Sequence, residues 1–242
     1  MINMNKSYPH TFLDRSNAVN SANYVDSYEQ KSLKEHFFSW DKEYSHLKWG
    51  GPASIRDLQN YLPAGSRILD AGSGNGRYLG EISRYYDTVG VDVSLTALQI
   101  SRNQLTKSSR FAEHIEASVH ELPFKTQVFD GILCYGVLQH LFKEERKSAG
   151  QEFKRVLKKG GFLFFEGFGA EDMRYGGEVS IPFEENTFLR QNGIIYHYFT
   201  KEEVDLLFQE FEILELKDMI KEKIFKGETY KRHIIKGIFQ KS

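Results

Sequence analysis

The stretch Arg67-Ile-Leu-Asp-Ala-Gly-Ser-Gly-Asn-Gly-Arg77 decides the fold of this 242-residue chain. A short apolar segment runs into three glycines at alternate positions, Gly72, Gly74 and Gly76, and a helix-like stretch follows them. Glycines let the backbone turn sharply and approach a ligand closely, while free N–H groups at the start of the next helix point toward that ligand. This order of strand, glycine loop and helix indicates a nucleoside-binding α/β unit.

The glycine spacing and the nearby acids favour a cationic ligand over a dinucleotide. A dinucleotide fingerprint has its third glycine three positions after the second, where this chain has Arg77. Asp70 would repel a pyrophosphate, but it suits S-adenosylmethionine, which carries an ammonium and a sulfonium. Asp92, sixteen residues after Gly76, ends a second predicted strand, where its carboxylate can accept hydrogen bonds from ribose hydroxyls. Both cofactors have a ribose, so Asp92 leaves an NAD(P)-dependent oxidoreductase as an alternative.

Further segments continue the pattern in order and spacing. They are Val89-Gly-Val-Asp92, Glu121-Leu-Pro-Phe124, Val128-Phe-Asp-Gly-Ile-Leu-Cys134, Leu138-Gln-His140 and Arg155-Val-Leu-Lys-Lys-Gly-Gly-Phe162. With the glycine loop, they resemble the class I S-adenosylmethionine-dependent methyltransferases of the broad small-molecule-like subgroup, over residues 52 to 168. The resemblance implies methyl transfer by in-line displacement. It also implies a Rossmann-like doubly wound α/β fold, with a seven-stranded, mostly parallel sheet, an antiparallel last strand and helices on both faces.

The resemblance implies a cofactor site across the carboxyl ends of the strands. Its expected residues are Asp70, Gly72, Ser73, Gly74, Gly76, Asp92, Val93, Ser118, Val119 and Tyr135. In the family, an acid at the position of Ser118 usually binds the adenine amino group, and a neutral hydroxyl would bind it more weakly. Backbone groups at Val119 and His120 could share the adenine edge, although His120 and Glu121 could also be solvated loop residues. No metal site is predicted.

Three residues near strand ends are candidates for a part in the reaction: Tyr135, His140 and Glu166. Imidazole titrates near neutral pH, so His140 could be an acid, a base or an acceptor-binding group, or it could only position a helix end. A buried Glu166 would need a partner or a raised pKa, and Tyr135 could simply pack at its strand end. A sulfonium is already an excellent leaving group, so transfer needs mainly alignment and desolvation, and a base only when the acceptor must lose a proton.

Periodicity predicts the order of the remaining elements. Helices are expected over residues 52–61, with proline in the first turn, 76–86, 95–105, capped by Ser94, and 143–157, and a last helix begins with a capping box at Thr200. Strands are expected over residues 67–70, 88–93, 111–117, 129–135, 161–168, 211–216 and 230–240. Alternating strands and helices predict a parallel sheet whose ligands bind beyond the carboxyl ends of its strands.

The predicted domain organisation has three parts. Residues 1–50 would form an N-terminal arm and an aromatic helix, either docked on the core or acting as a lid over cofactor and acceptor; its apolar members are Phe37, Phe38, Trp40, Tyr44, Leu47 and Trp49. Residues 51–242 would form the methyltransferase domain, interrupted at 169–200 by an acceptor-side insertion. That insertion could instead be a hairpin covering the sheet edge. Its candidate pocket residues are Arg174, Tyr175, Tyr196, His197 and Tyr198.

Composition agrees with a single soluble enzyme domain. The formal net charge of -1 creates no global field that would recruit nucleic acid or an anionic membrane. The single cysteine, Cys134, excludes an internal disulfide and suits a reducing compartment. The N-terminus shows no signal-peptide pattern and the chain has no 18-residue apolar stretch, so a cytoplasmic protein without a membrane partner is expected.

The acceptor is the least determined part of the prediction. We expect a small molecule, with an exposed protein side chain as the alternative, and not a nucleic acid. Residues 217–242 do hold eight Lys and Arg against three acids, which a solvated β-hairpin explains most simply, although a basic edge could attract an anionic or nucleic-acid acceptor. A non-catalytic S-adenosylmethionine-binding module also remains possible, because in-line transfer needs few dedicated groups.

Overall fold

The computed structural model describes residues 38–46, 53–225 and 227–242. Several predicted features lie outside these residues: the N-terminal arm up to Phe37, and Leu47, Trp49 and Pro52. The described residues form ten strands: β1 Arg67–Ala71, β2 Asp87–Asp92, β3 Glu113–Glu116, β4 Phe129–Tyr135, β5 Leu157–Phe168, β6 Val179–Ser180, β7 Thr187–Leu189, β8 Ile195–His197, β9 Glu212–Phe225 and β10 Glu228–Gln240.

Six α-helices accompany the strands within the described parts of the chain. They are α1 at residues 38–46, α2 Arg56–Tyr61, α3 Leu79–Ile82, α4 Leu95–Lys107, α5 Lys143–Val156 and α6 Lys201–Leu207. A 3₁₀ turn, Leu138–His140, precedes α5. None of these helices combines the length and the apolar character that crossing a membrane requires.

Seven strands form one sheet in the order β3-β2-β1-β4-β5-β10-β9. Neighbouring strands from β3 to β5 are parallel, whereas β10 runs antiparallel to both β5 and β9. The carboxyl ends of the five parallel strands therefore meet at one edge, where ligands of doubly wound sheets bind. This topology confirms the predicted Rossmann-like fold.

Two apolar cores lie on opposite faces of the sheet. Successive strand residues point to opposite faces, so Leu133 and Phe164 pack on the side of α2 and α3, while their neighbours Ile132 and Phe165 pack with α5 and α6. All four side chains are fully buried. The helices thus cover both faces, as predicted, and leave the strand ends to form the site.

Several predicted boundaries are wrong. Helix α3 spans only Leu79–Ile82, because the loop before it holds Gly76 in the left-handed region at φ +84°. Helix α2 begins at Arg56, and residues 53–55 are not helical. The C-terminal hairpin is longer than expected, since β9 continues from Glu212 to Phe225 and β10 begins at Glu228. Its charged residues resemble a loop in sequence, yet backbone pairing holds them as strands.

The insertion over residues 169–200 forms a second small sheet, in the order β6-β7-β8. It is attached to the main sheet by Asp172, whose completely buried carboxylate accepts hydrogen bonds from Arg174 Nε at 2.7 Å, Arg232 Nε at 3.1 Å and the backbone N–H of His233 at 3.1 Å. The 3₁₀ turn contacts this sheet through Ile195. The insertion therefore lies over the carboxyl end of β5 rather than along a sheet edge.

Candidate functional site

The glycine loop after β1 leaves no room for side chains. Gly72 and Gly74 have φ of +75° and +52°, and a Cβ atom would collide with Val137 at the first position and with the Tyr44 hydroxyl at the second. Gly76 has a different neighbour, Ser101 of α4. Gly72 and Gly74 thus allow close approach at the strand ends, whereas the third glycine lets α4 pack against the loop.

Asp92 ties this loop to the start of α4. Its Oδ2 accepts a hydrogen bond from the Gly74 backbone N–H at 2.8 Å, and its Oδ1 accepts one from the Ser94 N–H at 2.9 Å. Burial raises the pKa of Asp92 to about 6 despite these hydrogen bonds. Each carboxylate oxygen has a second lone pair, so Asp92 can hold the loop and still accept hydrogen bonds from a ligand.

Asp70 has an unsatisfied oxygen beside the loop. Its Oδ2 is buried and has no hydrogen-bond partner among the described residues. Burial and then the charge of Asp92 raise the pKa of Asp70 to about 7. Because a ligand ammonium would satisfy this oxygen, the residues present fit a cationic adenosyl cofactor. The Ser73 hydroxyl is also buried without a described partner, but it lies behind the loop against Gly90.

A cavity of about 80 Å³, the first cavity, adjoins the loop. It brings together six predicted residues, Gly72, Asp92, Val93, Ser118, Val119 and His140, with Trp40, Tyr44, Ala117, Gly136, Val137 and Leu141. Trp40 and Tyr44 come from α1 and form one of its walls. Burial and the nearby Asp92 raise the pKa of Tyr44, which keeps its hydroxyl neutral.

Helix α1 is held in place by Asp41, which sequence reasoning missed. The Asp41 Oδ1 accepts hydrogen bonds from Ser94 Oγ at 2.6 Å and from the Thr96 N–H at 3.0 Å, at the N-terminus of α4. Burial raises the pKa of Asp41, but the hydrogen bonds from Ser94 and Thr96 outweigh this effect, so the pKa lies below its usual value. The only sequence signal was the presence of two acids, Asp41 and Glu43, between Trp40 and Tyr44.

Ser118 lines the first cavity and forms a hydrogen bond with a neighbouring histidine. Its Oγ is 2.6 Å from His120 Nδ1, and burial lowers the pKa of that histidine. A Ser118 hydroxyl that donates to His120 still has lone pairs to accept from an adenine amino group. Val119 is buried beside it, while Glu121 is exposed.

His140 connects the first cavity to the insertion. It closes the 3₁₀ turn rather than starting a longer helix. Its Nδ1 lies 2.7 Å from the Ile195 carbonyl oxygen, which can only accept, so Nδ1 donates. The Gln139 amide nitrogen, a donor, lies 3.3 Å from Nε2, which indicates the neutral Nδ1–H tautomer. The rings of Trp40 and Tyr196 meet the imidazole edge-on, each with centroids 4.8 Å away.

A second cavity of about 160 Å³ adjoins the first. Its lining is Arg77, Tyr78, Tyr135, Gly136, Gln139, Glu166, Gly167, Phe168, Arg232 and Ile234. Gly136, at φ +74° after β4, borders both cavities. Glu166 lines this cavity, whereas His140 lines the first, and the two cavities meet at Gly136. Gly136, Arg77 and Arg232 were missed. Gly136 and Arg77 directly follow the predicted site residues Tyr135 and Gly76, whereas Arg232 reaches the site only because β10 pairs with β5.

Tyr135 and Glu166 belong to the second cavity. The two are register partners in β4 and β5, and Lys236 of β10 is the next partner along the sheet. The Tyr135 hydroxyl donates to Asp57 Oδ2 at 3.3 Å, and Lys236 Nζ donates to the same oxygen at 2.6 Å. Burial raises the pKa of Glu166, and the charge of Lys236 opposes that rise.

None of the five insertion residues predicted as pocket residues lines either cavity. Tyr196 packs against His140, and the Arg174 guanidinium lies 3.7 Å from the centroid of the Phe168 ring. His197 hydrogen-bonds instead to Thr187 Oγ1 and Glu203 Oε2, each at 2.8 Å, and lines neither cavity. The rings of Tyr175 and Tyr198 pack on each other, with centroids 5.0 Å apart, and also lie outside both cavities.

Known proteins share this architecture and sequence pattern. A family model described as a methyltransferase domain matches residues 69–165. A protein of Encephalitozoon cuniculi named as a methyltransferase is 32% identical over 154 residues, which are 61% of this chain and 68% of that protein. The tRNA (carboxymethyluridine(34)-5-O)-methyltransferase of Arabidopsis thaliana is 30% identical over 157 residues, 64% of this chain. This chain spans only 37% of the Arabidopsis protein.

A solved structure extends the match beyond the family model. The crystal structure of an S-adenosylmethionine-dependent methyltransferase from Methanosarcina mazei superposes with a TM-score of 0.65 at 25% identity, covering 79% of this chain and 99% of that one. S-adenosylmethionine supplies an electrophilic methyl group on a positively charged sulfur, and the unsatisfied carboxylate of Asp70 suits such a cation. The NAD(P)-dependent alternative is not favoured. The chain belongs to the class I S-adenosylmethionine-dependent methyltransferases.

Proposed function

We propose that this enzyme methylates a small-molecule acceptor, with the adenosyl part of the cofactor in the first cavity and the acceptor in the second. The observation that supports this arrangement is Gly136, the backbone residue that borders both cavities. In-line displacement needs the acceptor atom, the methyl carbon and the sulfur on one line. Because the two cavities meet at Gly136, a cofactor in the first and an acceptor in the second can approach each other along one line.

On the cofactor side, each proposed role follows from a donor or acceptor already in position. The Asp70 carboxylate accepts from the cofactor ammonium, and Asp92 accepts from the ribose hydroxyls. Ser118 and the backbone of Val119 bind the adenine edge. Ligand sites for drug-sized molecules usually enclose about 300 Å³ or more, so α1 must move outward to admit the cofactor. With Trp40 and Tyr44 it then acts as a lid that excludes water.

On the acceptor side, Glu166 is the proposed general base for an acceptor that carries a proton. A raised pKa brings a carboxylate closer to the neutral range, where proton transfer is most effective. The bond from the acceptor atom to the methyl carbon forms as the carbon–sulfur bond breaks, and Glu166 takes the acceptor proton. Tyr135 contacts the reactants at the strand end. His140 positions the insertion through its hydrogen bond to Ile195.

The test separates cofactor capture from transfer. Calorimetry should show binding of S-adenosylhomocysteine and none of NADH. Incubation with methyl-labelled S-adenosylmethionine and a cell extract should label a small-molecule fraction. Glu166→Gln should bind S-adenosylhomocysteine normally but transfer at least about a hundredfold more slowly, the usual contribution of a positioned base. Tight binding without label in any fraction would instead indicate a non-catalytic binding module.

A tRNA acceptor is the second candidate, because the Arabidopsis relative is named as a tRNA methyltransferase. The same extract experiment distinguishes it. If ribonuclease treatment of the extract abolishes labelling, and ultrafiltration shows that the label stays with large molecules, RNA replaces the small molecule as acceptor. An exposed protein side chain would give label that protease, and not ribonuclease, removes.

A further inference from the structure

The C-terminal hairpin extends past the edge of the main sheet on the side of the site. Strand β5 pairs with β10 only up to Phe168 and Ile234, where β5 reaches its carboxyl end. Strands β9 and β10 continue to pair beyond that point, as far as Phe225 and Glu228. The extension, residues 220–225 and 228–233, is a two-stranded ribbon beside the second cavity, and we call it the ribbon.

One face of the ribbon is basic. Lys221 pairs with Arg232 and Lys223 pairs with Tyr230, so these four side chains share a face. Two positions further along β10, Ile234 lies on that face, and after it Lys236, the register partner of Glu166. The basic face therefore reaches the second cavity at Arg232 and apolar Ile234, and Lys236 follows beside Glu166.

Cations surround this cavity from two directions. Arg232 lines it from β10, and Arg77 lines it from the residue after the glycine loop. Burial raises the pKa of Glu166, whereas Lys236, Arg77 and Lys221 all lower it, which places all three charges within electrostatic reach of that carboxyl. Lys221 and Lys223 are exposed on the ribbon. Glu166 is the carboxylate among the residues that line this cavity, and Asp57, which binds Lys236, adds a second negative charge nearby.

Arg232 is already held in position. Its Nε donates to Asp172 at 3.1 Å, and the same buried carboxylate binds Arg174. A guanidinium fixed in this way loses little freedom when it binds a ligand. Guanidinium groups match carboxylate and phosphate geometry by donating two parallel hydrogen bonds. The volume of about 160 Å³ suits the charged and reacting end of an acceptor rather than a whole large ligand.

We propose that Arg232 binds a negatively charged group of the acceptor, a carboxylate or a phosphate, in the second cavity, and that Lys221 and Lys223 attract the acceptor to it. This inference rests on the proposed function, which places the acceptor in that cavity. The cofactor carries a carboxylate too, and Arg77 is close enough to the glycine loop to bind it. Arg232 lies on β10, which β4 and β5 separate from β1 and its glycine loop, and is therefore assigned to the acceptor.

A binding experiment tests the site without turnover. Protein saturated with S-adenosylhomocysteine and labelled with nitrogen-15 at arginine is titrated with inorganic phosphate and, separately, with acetate. We expect saturable shifts of the Arg232 Nε–H resonance, identified by its loss in Arg232→Lys, and none for Arg102 on the exposed surface of α4. Equal shifts at both arginines, or no shift of Arg232 in the saturated protein, would overturn the proposal.

A turnover experiment tests the class of acceptor. Passing the cell extract through an anion-exchange resin should remove the labelled product, while a mock column should leave it. With the eluted acceptor fraction, Lys221→Gln with Lys223→Gln should raise KM about threefold to tenfold and weaken its salt dependence, because charges at the rim mainly affect association. The control is Lys147→Gln, at an exposed position of α5, which should change neither KM nor its salt dependence.

Each outcome of these experiments has its own interpretation. Ribonuclease sensitivity of the retained acceptor assigns the anion to an RNA phosphate, and resistance assigns it to a free small molecule; both support an anionic acceptor. An acceptor in the resin flow-through overturns the inference while leaving methyl transfer intact. Absence of label in every fraction, with phosphate still shifting Arg232, contradicts the proposed function and leaves only an anion site.

Discussion

At the residue scale, we expect Asp70 to make cofactor binding dependent on pH. Burial and the charge of Asp92 raise its pKa to about 7, and the bound ammonium would favour the ionised form, so binding expels a proton. We expect affinity for S-adenosylhomocysteine to fall up to about tenfold per pH unit below about 6, as linkage to one proton requires. Calorimetry in buffers of different ionisation enthalpy should detect the released proton.

The control for this prediction is a second aspartate on the same sheet. Asp70→Asn should bind more weakly and lose the pH dependence, because asparagine does not titrate in this range. Asp87→Asn, at the exposed start of β2, should keep both the affinity and the slope. A slope that persists in Asp70→Asn would assign the proton to another group.

Gly74 gives a second prediction at this scale. Gly74 and Gly65 have φ of +52° and +84°, so alanine is strained at both and should cost about 1 kcal/mol of folding free energy. At Gly65 a Cβ atom meets nothing within 4 Å, whereas at Gly74 it collides with the Tyr44 hydroxyl. We therefore expect Gly74→Ala, and not Gly65→Ala, to weaken cofactor binding in calorimetry. Equal losses of affinity would mean that backbone strain, rather than the space beside Tyr44, determines binding.

At the element scale, Asp41 fixes helix α1 to the start of α4. Replacing it removes two hydrogen bonds, to Ser94 and Thr96. If α1 is a lid, Asp41→Ala should speed dissociation of S-adenosylhomocysteine by about fivefold to thirtyfold, the equivalent of about 1–2 kcal/mol. Stopped-flow displacement measures the rate. Lys42→Ala, at an exposed position of the same helix, should leave it unchanged, and equal rates in all three proteins would contradict the lid.

Asp172 fixes the insertion to the main sheet. Asp172→Ala leaves Arg174 and Arg232 without their shared partner, and we expect a loss of about 2–4 kcal/mol in the free energy of unfolding, less than for fully buried arginines because both are partly exposed. Glu171→Ala, which breaks an exposed ion pair with Lys231, should change stability by less than about 0.5 kcal/mol. Urea denaturation measures the free energy of unfolding of both variants. Similar small losses would mean that Asp172 does not fix the insertion to the main sheet.

At the scale of the whole molecule, the single cysteine reports on global opening. Cys134 is completely buried, and burial raises the pKa of its thiol. Alkylation should therefore require unfolding, and S-adenosylhomocysteine should slow it in proportion to site occupancy. Mass spectrometry of timed samples measures the modified fraction. Fast alkylation of the native protein, unaffected by ligand, would show local opening of β4.

The sequence predicted the architecture well and the acceptor side poorly, for a physical reason. The glycine loop, Asp92 and the buried strands are local patterns of backbone and polarity, so their order reveals a doubly wound sheet. The second cavity depends on non-local pairing, because β4, β5 and β10 must pair before Arg77 and Arg232 can line the same cavity. The contacts of Asp172 are also non-local, because Arg232 and His233, which donate to it, lie about sixty positions later in the sequence. No local period marks such partners.

The length of β9 has one more consequence for the molecule in solution. This strand, Glu212–Phe225, lies at the outer end of the sheet, where unpaired backbone groups could join another chain and begin aggregation. The charged side chains of this edge strand, Lys217, Lys221 and Lys223 among them, would have to lose water if another strand paired with it, which disfavours such pairing. The cations proposed to attract a substrate would thereby also keep the enzyme from polymerising through its edge.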